Sequence, residues 1–583
     1  MSDMRRHFFA LNKPIQDTNF MNRNELIQYY KNNPAISVLI IGGGINGLGV
    51  FRDLALQGVD VLLVDRADFC SGTSAASSRM VHGGIRYLEN GEFRLVKEAV
   101  QERNRLIKNA PHYVKPLPTT IPIFSRFSGM LNAPMKFVGM LTKPAERGAF
   151  IIKMGLMLYD SYTGAQDGVP KHEFWNKRQS LKHFPDLNPD IMHTATYYDG
   201  SMRDAERIAI EVMLDGEKIN TDARALNYVS ASAAERNCVT LTDHESREIF
   251  TIEPKLVINA AGPWIDFVNQ ALGQTSDFIG GTKGSHIVVD NPELLEATKG
   301  REIFFENEDG RIVLIYPLAG RVIVGTTDVY IENPDDAICT EDEIDYFIEF
   351  TQIVFPKIQI KREQIVYTFS GVRPLPSTKA NSTGQISRDH HNEVVEPGEL
   401  FDFPIFNLVG GKWTSFRAFA EQVTDATLDR LGENRVDSTR HRPIGGGVDY
   451  PQTESDQERW VGQLATETET GSDRIATLFD RYGTGAREIA LFCADGDDRP
   501  LEYKSDFSER EIIWIICTEK VVHINDLLQR RSLLAMTGQV SVGLLKELAQ
   551  IIGRECGWDE ARQAVEVDKA KDELVGRHRA QIG

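Results

Sequence analysis

The stretch ISVLIIGGGINGLGVFRDLALQGVDVLLVD, residues 36–65, decides the fold of this chain. Its first six residues, ISVLII, form a short, predominantly apolar and β-branched run, which is typical of a buried parallel strand. Three glycines interrupt the run, a helix is predicted from about Asn46 to Gln57, and Gly58 is a natural helix C-terminal residue. A second apolar strand then ends at Asp65. The order of strand, glycine turn, helix and strand predicts a β-α-β unit.

The glycine turn fits the pattern G-x-G-x-x-G, with Gly42, Gly44 and Gly47 at the glycine positions and Asn46 at the start of the helix. The first glycine allows a tight turn, the second lets the backbone approach a pyrophosphate, and the third lets the helix pack closely on the strand. The helix N-terminus offers N–H donors and a partial positive charge to an anion. Asp65 is placed to accept hydrogen bonds from an adenosine ribose. The pattern predicts a Rossmann-like dinucleotide-binding domain, with a purely structural turn as the less favoured interpretation.

The turn alone does not distinguish NAD from FAD, but three later segments favour FAD. TSAASSRMVHGGIRY (73–87) is rich in small hydroxyl residues and suits a backbone laid along an extended cofactor, and LVINAAGPW (256–264) returns the chain to the same cofactor. VGGKWTSF (409–416) starts a second helix, whose N-terminus suits the electron-rich pyrimidine ring of a flavin. The residues assigned to the cofactor here, besides those of the turn, are Thr73, Ser74, Ser77, Ser78, His82, Gly83, Gly84, Gly262, Gly411, Lys412 and Thr414.

The composition of the chain bears on the number of domains and on the classes of protein that can be set aside. The chain has 583 residues and a formal net charge of −19, which argues against a nucleic-acid binder. Its length predicts two or three domains, and its six scattered cysteines show no zinc spacing. Since no run approaches the roughly 18 apolar residues that span a bilayer, and the start lacks the apolar run of a signal peptide, a cytoplasmic protein is expected.

Seven separated motifs resemble the FAD-dependent glycerol-3-phosphate dehydrogenases, a family that includes the glycerol-phosphate oxidases. In chain order, between about Ile36 and Leu431, they are IIGGGINGLGV, GTSAASSRMVHGGIRYLENGEFRLV, INAAGPW, TKGSHIVV, VGTTDV, SGVRPL and GGKWTSFR. The acidic C-terminal part, with DLLQRRSLLAM, resembles the helical tail of the family less closely. Arg79 stands where Lys is common, Trp413 stands where an aliphatic residue is more frequent, and the N-terminal extension has no obvious counterpart.

The resemblance implies a fold of the α/β and α+β classes, with a Rossmann-like FAD-binding domain, a sheet-based substrate domain and a C-terminal helical cap. We assign residues 1–35 to an N-terminal extension, 36–110, 185–270 and 395–435 to the FAD-binding domain, 111–184 and 271–394 to the substrate domain, and 436–583 to the C-terminal helical domain. The family further implies a peripheral enzyme on the cytoplasmic face of the inner membrane that passes electrons to quinone. Whether the protein forms a homodimer is left open.

The implied reaction is the oxidation of sn-glycerol 3-phosphate to dihydroxyacetone phosphate, with hydride transfer from carbon 2 to flavin N5. Binding the phosphate dianion needs cations held in fixed geometry, because Arg offers a bidentate fork and Lys a point charge. Carried over by motif, the candidates are Arg86, Arg373 and Lys412, with Tyr87 as a hydrogen-bonding partner. Thr326 of the GTTD motif is a further candidate for the substrate pocket. Solvated surface cations and a simple turn at the end of a strand are the alternatives.

The hydroxyl proton of the substrate needs an acceptor that works near neutral pH, for which histidine is the natural choice. His286 in KGSHIVV begins a predicted strand of the substrate domain and is the candidate base. His82 precedes a glycine pair and is assigned to the flavin side. A histidine hydrogen-bonded to backbone is equally compatible with either position. We therefore assign His286, Arg373 and Lys412 to catalysis.

Residues 112–159 are rich in basic and apolar side chains within an acidic chain, which makes them a candidate membrane contact. A substrate-domain segment packed on the core is equally compatible with this composition. Two other functions stay open: a glycerol-3-phosphate oxidase that uses oxygen and makes hydrogen peroxide, and a flavoprotein that oxidises another small acid or amine. A non-catalytic nucleotide-binding module is the least favoured.

Overall fold

A computed structural model describes residues 22–84, 93–124, 156, 170–306, 312–377 and 389–583. These residues form two β-sheets, helices packed against the sheets, and a C-terminal helical unit (residues 454–583). The strands are β1 (Ala35–Ile41), β2 (Val61–Val64), β3 (Met80–Val81), β4 (Val114–Ile123), β5 (Glu173–Asn176), β6 (His193–Met202), β7 (Ala223–Leu226), β8 (Val229–Glu235), β9 (Cys238–Asp243), β10 (Ile249–Asn259), β11 (Ile279–Val289), β12 (Glu302–Glu306), β13 (Ile312–Leu318), β14 (Arg321–Gly325), β15 (Val329–Tyr330), β16 (Ile365–Pro376), β17 (His391–Val395) and β18 (Ile405–Val409). The helices are α1 (Arg23–Asn32), α2 (Ile45–Leu56), α3 (Phe93–Asn109), α4 (Lys177–His183), α5 (Ala205–Ile219), α6 (Ile265–Ala271), α7 (Pro292–Ala297), α8 (Glu341–Val354), α9 (Phe416–Leu431), α10 (Glu454–Thr468), α11 (Ser472–Tyr482), α12 (Ala486–Ala494), α13 (Glu509–Thr518), α14 (Ile524–Asp526), α15 (Val542–Cys556) and α16 (Glu560–Gly576).

The first sheet contains the β-α-β unit predicted at residues 36–65. Its strand order is β17-β18-β10-β1-β2-β7, and β1 pairs in parallel with both β2 and β10. Side chains of β1 alternate between two cores: Val38 and Ile40 pack in the cluster that contains α2, α5 and α9, whereas Leu39 packs on the opposite face with Leu26 and Ile27 of α1. Because both faces of β1 are covered, its sequence is a continuous apolar run rather than an alternating one.

The second sheet is largely antiparallel, in the order β15-β11-β14-β13-β12-β4-β6-β3, with β16 paired to β11 and β5 to β6. One face packs against α8, through Ile287 and Val324 among others. The other face packs against the C-terminal helical unit, through Val288, Tyr367 and Phe369. The mixed fold class and the helical character of the C-terminal region, both predicted from the sequence, are confirmed.

Two strands lie in a different sheet from the one that the predicted division indicates. β6, within the segment assigned to the FAD-binding domain, pairs with β4 of the second sheet along its whole length. β17, which except for its last residue lies within the segment assigned to the substrate domain, pairs antiparallel with β18 of the first sheet. Strand propensity is compatible with either sheet, and only the pairing partner decides between them. Within the described ranges, no helix has both the length and the apolar character to cross a membrane.

Candidate functional site

A cavity of about 780 Å³ is lined by both sheets and by the C-terminal helical unit. A volume of this size lies in the range of ligand and cofactor sites. The residues predicted for the cofactor that line it are Gly42, Gly44, Asn46, Asp65, Thr73, Ser74, Gly262, Gly411 and Lys412. Other predicted cofactor residues, namely Gly47, Ser77, Ser78, His82, Gly83, Gly84 and Thr414, lie outside that lining.

The glycine turn after β1 is built for close approach of two backbones. Gly42 has a φ of 115°, and a Cβ placed on it would lie 2.6 Å from the backbone carbonyl of Ala260 at the end of β10. Any L-residue with a side chain is excluded at this position by the dihedral angle and by the contact. The first amide of α2, that of Ile45, donates a hydrogen bond of 3.0 Å to the hydroxyl of Ser74.

Asp65 lies at the end of β2, beside the glycine turn. Its carboxylate accepts hydrogen bonds from the backbone amides of Gly43, at 2.6 Å, and Ala67, at 2.8 Å, one on each oxygen. Burial raises the pKa of Asp65 from its ordinary value of 3.8 to about 6, although these amides act in the opposite direction. An additional donor, such as a ribose hydroxyl, would stabilise the ionised carboxylate further.

The start of the 73–84 segment is hydrogen-bonded to β16 of the second sheet and to the turn that follows β18 of the first. The Thr73 hydroxyl donates to the carbonyl of Val372 on β16, at 2.7 Å, and the indole N–H of Trp413 donates to the carbonyl of Ser74, at 2.9 Å. Trp413 is buried, so its effect in this structure is to hold the hydroxyl-rich segment beside the second glycine turn.

The glycine pair that follows is held by two side chains from elsewhere in the fold. The amide of His82 donates to the Thr414 hydroxyl at 3.1 Å, and the amide of Gly83 donates to the Asp199 carboxylate at 2.9 Å. Asp199 is buried on β6 and was missed by the sequence analysis. An acid inside a predicted strand, in the pattern YYDGS, is the signal that indicates such a residue, because an acid seldom lies in a buried strand without a partner.

The second glycine turn packs directly against the first. Gly411 has a φ of 93°, and a Cβ placed there would lie 2.2 Å from the side-chain nitrogen of Asn46. The Asn46 side-chain oxygen is buried and has no hydrogen-bond partner among the described residues. An unsatisfied buried polar atom between two glycine turns fits a site for a polar ligand. The residues present therefore fit an extended dinucleotide: glycine turns for close approach, an acid for the ribose, and a buried polar atom that a ligand can pair.

His286 lies on β11, and its ring is buried against Phe369, with ring centroids 4.7 Å apart. Its Nε2 is 2.8 Å from the Ser78 hydroxyl, whereas its Nδ1 is buried and has no hydrogen-bond partner among the residues that the structure describes. Burial, with smaller contributions from the charges of Arg373 and Arg79, lowers the pKa of His286 to about 3. The imidazole is thus neutral throughout the physiological range.

Arg373 and Thr326 lie together beside His286. The guanidinium of Arg373 donates to the Asp328 carboxylate at 3.1 Å, to the Thr326 hydroxyl at 3.2 Å and to the Thr327 carbonyl at 3.1 Å. Gly325 precedes this turn and pairs with His286 across β11 and β14. Three predicted residues therefore meet: His286 on β11, Arg373 on the neighbouring β16, and Thr326 directly after β14. Neither Arg373, Thr326 nor His286 lines the 780 Å³ cavity itself, although Phe369 and residues next to Arg373 on β16 do.

Arg86, Tyr87 and most of the basic segment 112–159 lie outside the described residues. Lys412 lies on the wall of the cavity. Arg79, which the sequence analysis noted only as a departure from the family pattern, is fully buried, lines the cavity and pairs with Glu206, with one nitrogen–oxygen distance of 2.5 Å. Glu206 was missed because its signal, an acid in the first turn of a helix, is also the signal of an ordinary helix start.

Comparison with known proteins finds two matching family models and several similar relatives. Residues 37–400 match a family model described as FAD dependent oxidoreductase, and residues 437–563 match one described as the C-terminal domain of alpha-glycerophosphate oxidase. The chain is 32% identical over 562 residues to the glycerol-3-phosphate dehydrogenase of Synechocystis sp., covering 92% of this chain and 96% of the relative. It is 30% identical over 505 residues to the D-erythritol 1-phosphate dehydrogenase of Brucella abortus, covering 85% of this chain and 93% of the relative.

Among solved structures, the glycerol-3-phosphate dehydrogenase from Bacillus halodurans complexed with FAD has the same fold. The TM-score is 0.73 at 21% sequence identity, and the match covers 95% of this chain and 97% of the other. The likeness extends over both sheets and the helical C-terminal unit, since nearly the whole chain is aligned.

Proposed function

The chain belongs to the family of FAD-dependent glycerol-3-phosphate dehydrogenases and oxidases, and on this premise we propose that it oxidises sn-glycerol 3-phosphate to dihydroxyacetone phosphate. It is an enzyme whose cofactor is FAD. The observation that carries the choice of substrate is the cluster of Arg373, Thr326 and His286 on neighbouring strands beside the cavity. FAD, when bound, supplies the acceptor for the hydride that leaves carbon 2 of the substrate.

In this proposal Arg373 holds the phosphate. Its guanidinium already lies in a fixed position, because the turn 326–328 presents three acceptors to it. One of these is the Asp328 carboxylate, so a phosphate dianion would share or replace that partner. Lys412, Arg86 and Tyr87 complete the proposed set of phosphate and hydroxyl contacts.

His286 accepts the hydroxyl proton. Its neutral imidazole can do so at Nδ1, which has no hydrogen-bond partner within the described part of the chain, whereas Ser78 engages Nε2. Part of the depression of the His286 pKa comes from the charge of Arg373. A phosphate bound to Arg373 offsets that charge and raises the proton affinity of the imidazole, so the substrate itself helps to activate the base.

The phosphate role is tested by Arg373→Ala, with steady-state kinetics on glycerol 3-phosphate and on glycerol. Loss of one or two charge-assisted hydrogen bonds, at about 1.5–3 kcal/mol in total, lowers kcat/KM for the phosphorylated substrate roughly 10- to 150-fold. The activity on glycerol is expected to change little. Arg301→Ala is the matched control, because Arg301 directly precedes β12 of the same sheet, pairs with Glu173 at 3.2 Å and does not line the cavity. An equal loss on both substrates rejects the role of Arg373.

The base is tested by His286→Asn. Removal of a general base lowers kcat by roughly 10²- to 10⁴-fold. Flavin content, read from the visible absorbance of the purified protein, is expected to be unchanged, which separates catalysis from cofactor loss. A variant that keeps its kcat excludes His286 as the base.

The length of the polyol phosphate is the first alternative to examine, because one relative is named for D-erythritol 1-phosphate. Anaerobic addition of glycerol 3-phosphate or of erythritol 1-phosphate to the yellow protein shows which substrate bleaches the flavin absorbance. If erythritol 1-phosphate bleaches the flavin faster than glycerol 3-phosphate does, the four-carbon compound is the substrate.

We propose quinone as the electron acceptor, reached by an enzyme bound peripherally to the cytoplasmic face of the membrane. Relatives that are named dehydrogenases support this proposal. The match of residues 437–563 to a domain named for an oxidase favours the alternative acceptor, oxygen. Turnover with a short-chain quinone, compared with peroxide formation in air, distinguishes the two acceptors. Stoichiometric peroxide with no gain from quinone identifies an oxidase.

A further inference from the structure

Buried ion pairs join the C-terminal helical unit to the turn that follows Asp65. Asp68 is fully buried and accepts hydrogen bonds from Arg530, at 2.6 Å, and from Arg531, at 3.0 Å. Both arginines belong to a single π-helical turn, Leu527–Arg531. Two guanidinium groups on one buried carboxylate hold the 65–68 turn in a fixed position relative to the helical unit.

The neighbouring strand is tied to the same unit. The Asn227 side chain donates to the carbonyl of Lys520 at 2.9 Å, and the Tyr228 hydroxyl donates to the Asp526 carboxylate at 2.5 Å. These residues directly follow β7, the strand that pairs with β2. Both strand ends at the predicted ribose-binding edge of the first sheet therefore contact the C-terminal unit.

The segment that makes these contacts also forms a wall of the cavity. Gln529, Arg530, Leu533 and Met536 line it, together with residues of β16 and of the 71–79 segment. A ligand that fills the cavity therefore touches the first sheet and the C-terminal helical unit at the same time.

We infer that Gln529, Arg530, Leu533 and Met536 are part of the FAD site, so that FAD binding and docking of the C-terminal helical unit stabilise each other. A ligand that contacts both walls binds the docked form more tightly than any loosened form, and by linkage the docked form binds FAD more tightly. The inference rests on FAD occupying the cavity and is independent of the substrate and of the electron acceptor.

Hydrogen exchange on the full chain, with and without FAD, tests the coupling directly. The expected result is slower exchange not only in residues 524–536 but also in α15 (Val542–Cys556), which contributes no residue to the described lining of the cavity. Protection that is confined to the first sheet and the 71–79 segment overturns the inference.

Variants at the docking contacts test the reverse effect, that of docking on the affinity for FAD. Asp68→Asn removes the shared carboxylate charge, and the FAD dissociation constant, read from quenching of flavin fluorescence without substrate, is expected to rise about tenfold or more. Asp480→Asn is the control, since Asp480 pairs with Arg203 at 2.8 Å in an exposed contact between the C-terminal unit and the rest of the chain, away from the cavity. An unchanged dissociation constant in folded Asp68→Asn, or an equal rise in the control, overturns the inference.

Arg531→Lys separates docking from direct contact, and it also takes the place of Asp68→Asn if that variant fails to fold, because Asp68 lines the cavity and Arg531 does not. The change keeps the charge but loses the planar fork that engages Asp68 and the carbonyl of Glu519. A rise in the FAD dissociation constant supports the coupling. A folded Arg531→Lys protein with wild-type affinity for FAD rejects it.

Discussion

Asp65→Asn separates the contribution of Asp65 to cofactor binding from its effect on the stability of the protein without cofactor. The carboxylate accepts the amides of Gly43 and Ala67 on different oxygens, and burial raises its pKa from 3.8 to about 6. A change of that size corresponds to about 3 kcal/mol of destabilisation of the ionised form. Since the folded-state pKa is raised, the contribution of this group to stability is fully present below pH 3.8 and is lost as the pH rises through about 6.

The expected magnitudes follow from these contacts. Asparagine removes the charge and its penalty of about 3 kcal/mol, but it has one acceptor oxygen instead of two and leaves one amide unpaired, at about 1–3 kcal/mol. The stability of the protein without FAD therefore changes by no more than about 2 kcal/mol near neutral pH. The FAD dissociation constant, in contrast, rises roughly 10- to 150-fold, because a charged acceptor for the ribose is lost.

The assay is titration of the apoprotein with FAD at pH 5, 6 and 7.5, followed by flavin fluorescence. In the wild type the affinity falls about tenfold from pH 7.5 to pH 5, as the carboxylate is protonated below its pKa. In Asp65→Asn this pH dependence is absent. The same pH dependence in both proteins, or an unchanged dissociation constant in the variant, refutes the assignment of Asp65 to the ribose.

Two further perturbations probe the site and the C-terminal unit. Gly411→Ala places a Cβ 2.2 Å from the Asn46 side chain at a φ of 93°. We therefore expect the unfolding free energy to fall by at least about 1–2 kcal/mol and the bound flavin to be lost. Denaturant unfolding measures the first effect and the absorbance spectrum the second, and wild-type values would contradict the geometry. His523 lies 3.1 Å from Glu245 and 2.9 Å from Glu566, and although burial opposes protonation, these acids raise its pKa to about 9. Its stabilisation is present below pH 6.5 and lost as the pH rises through about 9, so the stability difference between wild type and His523→Gln is expected to shrink over that interval; a difference that is constant with pH would show that the imidazolium does not contribute.

The relation between sequence and site differs from residue to residue. Gly42, Asn46 and Asp65 were predictable as neighbours, because a β-α-β unit closes within about thirty residues and its turn chemistry is local. Arg373 and His286 are far apart in sequence from each other, and only the long pairing of β11 with β16 brings them to one edge of the second sheet. Their motifs indicated cations and a base, but not which partners would hold them.

By itself, the sequence determined the dinucleotide unit, because apolar periodicity, glycine spacing and a terminal acid each depend on residues that are close along the chain. The family followed from the resemblance of seven separated motifs, and the choice of FAD from segments beyond the glycine turn. Only the tertiary structure decided that Asp199 and Glu206 support the cofactor segment and that Arg530 and Arg531 close on Asp68. A buried charge acquires its role from a partner that is distant in sequence, and the free energy of such a pair depends on burial and geometry that no local pattern records.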